Sequence, residues 1–267
     1  MKLKVLDLNA QEKGSVNAPA QFLEPVRLDL IKRAAAAMQS RVRQAYGASP
    51  RAGMRHSAEL SRRRKNYRGS YGHGISRVPR KIMTRRGTRF MWVGAQAPGT
   101  VGGRRAHAPK ACKNLVKDMN KKERKKAIRS ALAASISRDY TIARGHRTPE
   151  NFPFILSADF EKVAKTKEII GTLNKLGLEA ELERAGQKSI RAGKGTMRGR
   201  KYKTRKGPVI VVSDTCALSK VTNVPGLEIV NVSELNALTL APGTIGGRLA
   251  LYTEAALKKV EEAKLFV

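Results

Sequence analysis

Cysteine, acidic residues and long apolar runs are all scarce in this 267-residue sequence. The two cysteines, Cys112 and Cys216, lie 104 positions apart. There is no CxxC pair, which removes zinc ribbons, zinc knuckles and iron–sulfur clusters. The pair reads as two ordinary thiols of a reducing compartment rather than as a disulfide. No apolar run reaches the roughly 18 residues that a bilayer span needs. The opening residues, MKLKVLDLNAQEKG, contain no apolar stretch of the secretory type, and neither end carries a lipidation pattern. Acids number 21 against 54 Lys+Arg, a formal net charge of +33. A folded chain with that charge repels itself unless a polyanion neutralises it. The expected partner is therefore nucleic acid, with an anionic membrane surface the weaker choice.

Motifs of enzymes are missing too. Gly193-Lys194-Gly195 has glycine where a phosphate-binding Walker loop needs Ser or Thr. No GxGxxG follows a strand and opens a helix. The four histidines, His56, His73, His107 and His146, show no metal-ligand spacing, and no Ser-His-Asp or Cys-His arrangement can be argued. The sequence thus offers no catalytic residue, no metal site and no cofactor. Acids lie mostly at solvated positions of expected helices; a catalytic pair brought together only in space is invisible at this level.

The positive charge is concentrated. Residues 51–110 hold 16 Lys+Arg, 13 of them Arg, against the single acid Glu59. Residues 188–206 hold nine bases and no acid, and residues 113–129 eight bases and two acids. The rest is close to neutral, so the chain reads as a globular body, 1–50 with 111–267, carrying basic pieces. The stretch 51–110 has nine glycines and almost no apolar periodicity, and is expected to be one long irregular loop that cannot order itself but can order on RNA. Arginine forks onto phosphates, glycine lets the backbone approach them, and Tyr67, Tyr71, Phe90 and Trp92 supply faces for stacking. A flexible solvated insertion is the plain alternative. Candidates for RNA contact here are Arg62, Arg63, Arg64, Lys65, Arg68, Arg77, Arg80, Lys81, Trp92, Arg104, Arg105 and Lys110. In the second insertion, 188–206, they are Lys194, Arg198, Arg200, Lys201, Lys203 and Arg205.

The flanking sequence predicts an α/β body with a mostly parallel sheet and flanking helices. Strands are expected at 2–8, 153–157, 208–213, 227–232 and 248–252. A helix is expected over 25–46, with Leu30, Ile31, Ala34, Met38, Val42 and Ala45 on one face and Gly47 and Pro50 ending it. A second should begin after Asn120, capped by it, with Glu123 at the capping-box position and Ile128, Ala131, Leu132 and Ile136 inward. The bases of 113–129 crowd its start, where they either line an RNA backbone or form a solvated face. A third helix is expected over 159–176, with Phe160, Val163, Ile170 and Leu173 inward and Gly177 stopping it. Ser233 should cap a short helix to Ala237, and Thr253 should start the last one.

One pattern recurs. APGTVGGRR begins at Ala97 and APGTIGGRL at Ala241, agreeing at seven of nine positions. A glycine-rich turn ending in Arg suits a phosphate nest. The first copy, in basic surroundings, reads as an RNA contact and the second as a plain turn leading into a strand.

Three readings fit so far: an RNA-bound structural protein, an RNA-modifying enzyme on an α/β core, and a DNA-compacting protein. The enzyme lacks its cofactor turn. A compacting protein would be Lys-rich and of low complexity or carry a helix-turn-helix. An Arg/Gly/aromatic segment on a folded body favours the first.

The chain resembles the large-subunit ribosomal protein four family, in its archaeal/eukaryotic branch. ISRVPRK at 75–81, RRGTRFMWVGAQAPGTVGGRRAHAPK at 85–110 and NKKERKKAIRSALAAS at 120–135 carry the resemblance, with SIRAGKGTMRGRKYKTRKGPVIVVSD at 189–214 and VNVSELNALTLAPGTIGGRLALYTEAALKKVEE at 230–262. The resemblance implies a non-enzymatic constituent of the large subunit, without cofactor, that joins rRNA early in assembly. Its long loop would run through the rRNA and help line the peptide exit tunnel. Arg77, Pro79 and Arg80 would lie on the way to a tip near 82–89, containing Met83, Arg85, Arg86 and Arg89. The stretch 83–86 departs from the glycine-richer pattern of eukaryotic members. Implied partners are large-subunit rRNA and neighbouring large-subunit proteins, with no membrane and no homo-oligomer, and the implied location is cytoplasmic and ribosome-bound.

Overall fold

A computed structural model of the chain describes every residue except Thr88 and Thr222. In chain order the elements are β1 (Lys2–Leu6), β2 (Glu12–Asn17), α1 (Leu28–Arg41), β3 (Arg80–Arg86), β4 (Arg89–Gly94), α2 (Lys121–Ile136), α3 (Arg138–Ala143) and β5 (Phe154–Leu156). They continue with α4 (Thr166–Lys175), α5 (Glu179–Gly186), β6 (Lys188–Ile190), β7 (Tyr202–Thr204), β8 (Val209–Val212), β9 (Glu228–Asn231), α6 (Ala237–Leu240), β10 (Ala250–Thr253) and α7 (Glu254–Glu262). The chain forms two compact units, one of residues 1–42 with 116–267 and one of residues 43–115.

In the first unit a six-stranded sheet runs in the order β2-β1-β5-β10-β8-β9. All neighbours are parallel except β1 with β2, which are antiparallel. The sheet is thus mixed, and β2 is a strand that its charged, mostly exposed residues gave no reason to expect. The central strands are apolar on both faces, as a covered parallel sheet requires. Because successive side chains alternate, Val209 and Val211 enter one core and Ile210 and Val212 the other. The first core takes Ile31 and Ala34 of α1, Ile128, Ala131 and Leu132 of α2, and Leu257 of α7. The second takes Phe160, Ile169 and Leu173. Each fully buried Val, Leu, Ile or Phe contributes roughly 1.5–3 kcal/mol by leaving water.

Local chemistry moves several expected boundaries. Helix α1 stops at Arg41, so Val42 and Ala45 are exposed and leave the apolar face. The Ser40 hydroxyl donates to Ala37 O at 2.6 Å and accepts from Lys117 N at 2.9 Å, tying the returning chain to the helix end. Asn120 precedes α2 with extended backbone but without a capping side-chain bond, and Glu123 instead meets Arg33 at 2.8 Å. The helix expected over 159–176 is two elements, a 3-10 turn at Ala158–Lys162 and then α4. The break shifts the helical phase, so Ile169 is buried and Ile170 is at the surface. Gly177 has φ +78° and ends that segment as a glycine stop should. Asn236, not Ser233, caps α6, its side chain accepting from Thr239 N at 2.9 Å. Thr253 caps α7 through Ala256 N.

The second unit is not irregular throughout. Strands β3 and β4 form an antiparallel hairpin with Ile82 opposite Trp92, Arg85 opposite Phe90 and Arg86 opposite Arg89, and with a bulge between Ile82 and Thr84. The alternation of RFMWVG over 89–94 is short and sits among glycines, which hid a pairing that needs a partner strand. The 188–206 insertion is likewise a small hairpin, β6 with β7.

Candidate nucleic-acid interface

The second unit organises its charge around rings. Lys65 and Arg68 both have left-handed backbone, at φ +56° and +67°. Non-glycine residues adopt that region uncommonly, at a cost of about 1–2 kcal/mol each. The turn they make brings Tyr67 onto β4. Tyr67 meets Phe90 edge-on at 5.4 Å, and Phe90 lies 5.6 Å from Trp92 with planes tilted by 30°. Arginines cover these rings: Arg68 and Arg85 each lie 5.6 Å from the Tyr67 ring, Arg80 lies 5.4 Å from Trp92 and Arg77 lies 5.2 Å from Tyr71. Each such contact is worth about 0.5–1 kcal/mol at an exposed site, enough to bias where the guanidinium points. Arg80 also donates to Val78 O at 3.3 Å, and Arg77 to the Tyr71 hydroxyl at 3.2 Å.

Most of the candidate cations remain on the surface. Arg62, Arg63, Arg64, Lys65, Arg68, Arg77, Arg104, Arg105 and Lys110 are exposed; Arg80, Lys81 and Trp92 are half-buried in the hairpin. Met83, Arg85, Arg86 and Arg89 are exposed around the hairpin end, and Thr88, within the expected tip, lies outside the described residues. Glu59, the one acid of this unit, reaches Arg68 at 3.6 Å. Lys194, Arg198, Arg200, Lys201, Lys203 and Arg205 are all exposed on the β6–β7 hairpin. Arg191 folds inward instead, donating to Arg200 O at 3.0 Å and stiffening that hairpin's loop.

In the first unit the start of α2 sets Lys121, Lys122, Lys125, Lys126 and Arg129 along a groove of about 870 Å³. Glu24 opposes Arg129 at 3.1 Å and Lys126 at 3.7 Å, leaving an excess of positive charge there.

Sequence reasoning missed two buried ionic clusters that brace the body. Glu181 has no exposed side-chain surface and accepts from Arg184 at 2.6 Å, from Arg147 N at 2.9 Å and from His146 Nδ1 at 2.7 Å. A carboxylate only accepts, so that imidazole nitrogen carries a proton. Burial alone would raise the Glu181 carboxyl, but donors from Arg184, His146 and Arg147 outweigh it and hold it at about 2. Arg248, in the second glycine-rich copy, is fully buried and donates to Gly207 O and Thr239 O, each at 2.9 Å, and to Glu228 at 2.7 Å. Burial pulls its basicity down, with Glu228 restoring part of it. Glu181 and Arg184 stand at the i,i+3 spacing of one helix, but no spacing rule connects them with His146, or Glu228 with Arg248, so only charge left over in apolar surroundings could have hinted at those partners.

The Ribosomal protein L4/L1 family matches this chain over residues 16–263. The chain belongs to that family. This L4-family protein is 48% identical to the large ribosomal subunit protein uL4 of Nanoarchaeum equitans, with 100% of both chains covered. It is 43% identical to the protein of that name from Methanoculleus marisnigri, covering 98% of this chain and 99% of the other. It is 40% identical to the one from Halobacterium salinarum, covering 98% and 100%. An L4-family chain is a ribosomal protein of the translation machinery and not an enzyme. Among the described residues no helix is long and apolar enough to cross a membrane.

Proposed function

We propose that this protein is a structural constituent of the large ribosomal subunit, that it binds large-subunit rRNA early in assembly, and that its 51–110 extension helps line the polypeptide exit tunnel. The observation that carries the reading is the imbalance on the second unit: an array of exposed arginines around aromatic rings, with Glu59 as its one acid. Such an array needs a polyanion, and arginine with stacking faces suits folded RNA better than a smooth duplex. The relatives' name, large ribosomal subunit protein, supports the choice of subunit. In this reading the arginines and lysines of 51–110 and 188–206 hold phosphates, and Trp92 stacks. Met83, Arg85, Arg86 and Arg89 stand at the tunnel, and the body meets neighbouring large-subunit proteins as a single copy. The protein works in the cytoplasm, ribosome-bound, without a membrane or cofactor.

Cosedimentation of the tagged protein with large subunits through a high-salt gradient tests this. Retention on the subunit is expected. A pool released by salt and migrating free would overturn the structural role.

A further inference from the structure

Two small cavities flank Trp92 within the second unit. One, of about 240 Å³, is bordered by Arg68, Gly69, His73, Ile75, Phe90 and Trp92. The other, of about 190 Å³, shares Arg68 and Trp92 but is bordered by Arg80 and Glu59. Arg80 is the guanidinium that covers the indole, and it borders only the second cavity. One face of Trp92 is thus taken by the protein's own arginine, while the side toward His73 is open.

That open side has the elements of a site for a flat heterocycle. Phe90 and Trp92 give two rings 30° apart. Gly69 closes the floor: a Cβ there would come within 2.9 Å of Asn66 O, so the chain can turn this tightly only without a side chain. At the rim the exposed His73 offers ring nitrogens able to meet the edge of a base. Arg68, held in left-handed backbone, stands beside the opening, where a phosphate of the same strand would compete with Glu59, 3.6 Å away, for its guanidinium.

We propose that this cavity receives a single unpaired RNA nucleobase, stacked on the free face of Trp92 and edged by His73, with the flanking phosphates held by Arg68 and its neighbours. The inference rests on the rRNA-binding reading and specifies what one part of that interface recognises. A paired base presents only its edges, so the occupant must be unstacked. The surrounding arginines select a polyanion over a neutral aromatic ligand.

Trp92 is the only tryptophan of the chain, so tryptophan fluorescence reports the surroundings of this one indole. The full-length protein would be titrated with oligoadenylate and, in parallel, with an abasic ribose-phosphate oligomer of equal length, binding being followed separately by anisotropy of a labelled strand. Oligoadenylate should quench Trp92 and the abasic strand should not, although both bind. Phe90→Leu should weaken oligoadenylate roughly tenfold and leave the abasic strand unchanged. His73→Ala, at an exposed position that cannot disturb folding, should weaken oligoadenylate about threefold to tenfold. Equal quenching by both strands, or binding of both without quenching, overturns the base site while leaving RNA binding intact. Binding of neither strand overturns the RNA-binding reading along with it.

Discussion

Arg248 donates to Glu228 at 2.7 Å from a guanidinium with no exposure to solvent, whereas Arg104, at the same place in the other copy of the glycine-rich pattern, is exposed. The two nine-residue copies differ by little in sequence and end in opposite surroundings. Arg248→Ala leaves two backbone carbonyls without this donor and the half-buried Glu228 carboxylate with Lys206 at 3.3 Å, and should cost about 3 kcal/mol in urea unfolding. Arg104→Ala should change stability by less than about 0.5 kcal/mol and lower RNA affinity instead. Equal destabilisation by both would mean that Arg104 also supports the fold.

Acid should loosen the body through Glu181. Its carboxyl titrates near 4.5 when unfolded and is held at about 2 when folded. A depressed folded value gives stability that is present above the unfolded value and is lost as the pH falls from about 4.5 toward 2. The shift corresponds to a contribution on the order of 3 kcal/mol at neutral pH. Chemical denaturation of the native protein and of Glu181→Gln across that range should show the variant less stable near neutrality and less dependent on pH. Parallel curves would remove Glu181 as the cause.

The 188–206 hairpin should govern salt sensitivity. Arg198, Arg200, Lys201 and Lys203 are exposed, so changing all four to Ser leaves the body's packing unaltered. If each neutralises one phosphate, the slope of log affinity against log salt should become shallower by up to about 3. An unchanged slope would mean that these side chains face solvent.

Incorporation and tunnel effects should separate. Lys188 pairs with Thr204 at the base of β6–β7, so the hairpin can be excised with a short join. Its removal should lower subunit occupancy first. Changing Arg85, Arg86 and Arg89 to Ser takes fixed charge from the β3–β4 end, should leave occupancy largely intact, and should alter how nascent chains stall or pass. Loss of occupancy with the tip variant as severe as with the excision would make the tip an assembly anchor.

Much was legible before any fold was known. The apolar run at 209–212, the helical stripe through Ile128, Ala131 and Leu132, and the Thr253 cap are local, because period and capping act over a few neighbouring residues. The location of the basic segments is simple counting. What tertiary structure alone decided is of longer range. It broke the helix expected over 159–176, because burying Phe160 from a 3-10 turn outweighed continuing one helical phase. It added β2 as an antiparallel edge through pairing with β1 rather than through its own apolar pattern. It gave the Arg/Gly segment a hairpin on which Phe90 and Trp92, alternate residues of β4, share one face and are joined by Tyr67 from the turn at 65–68. Above all it chose which arginine to bury. The pattern around Arg248 and Arg104 is nearly the same, and only the arrival of Glu228, Gly207 and Thr239 from elsewhere in the chain makes burial of that charge affordable at one site and not required at the other.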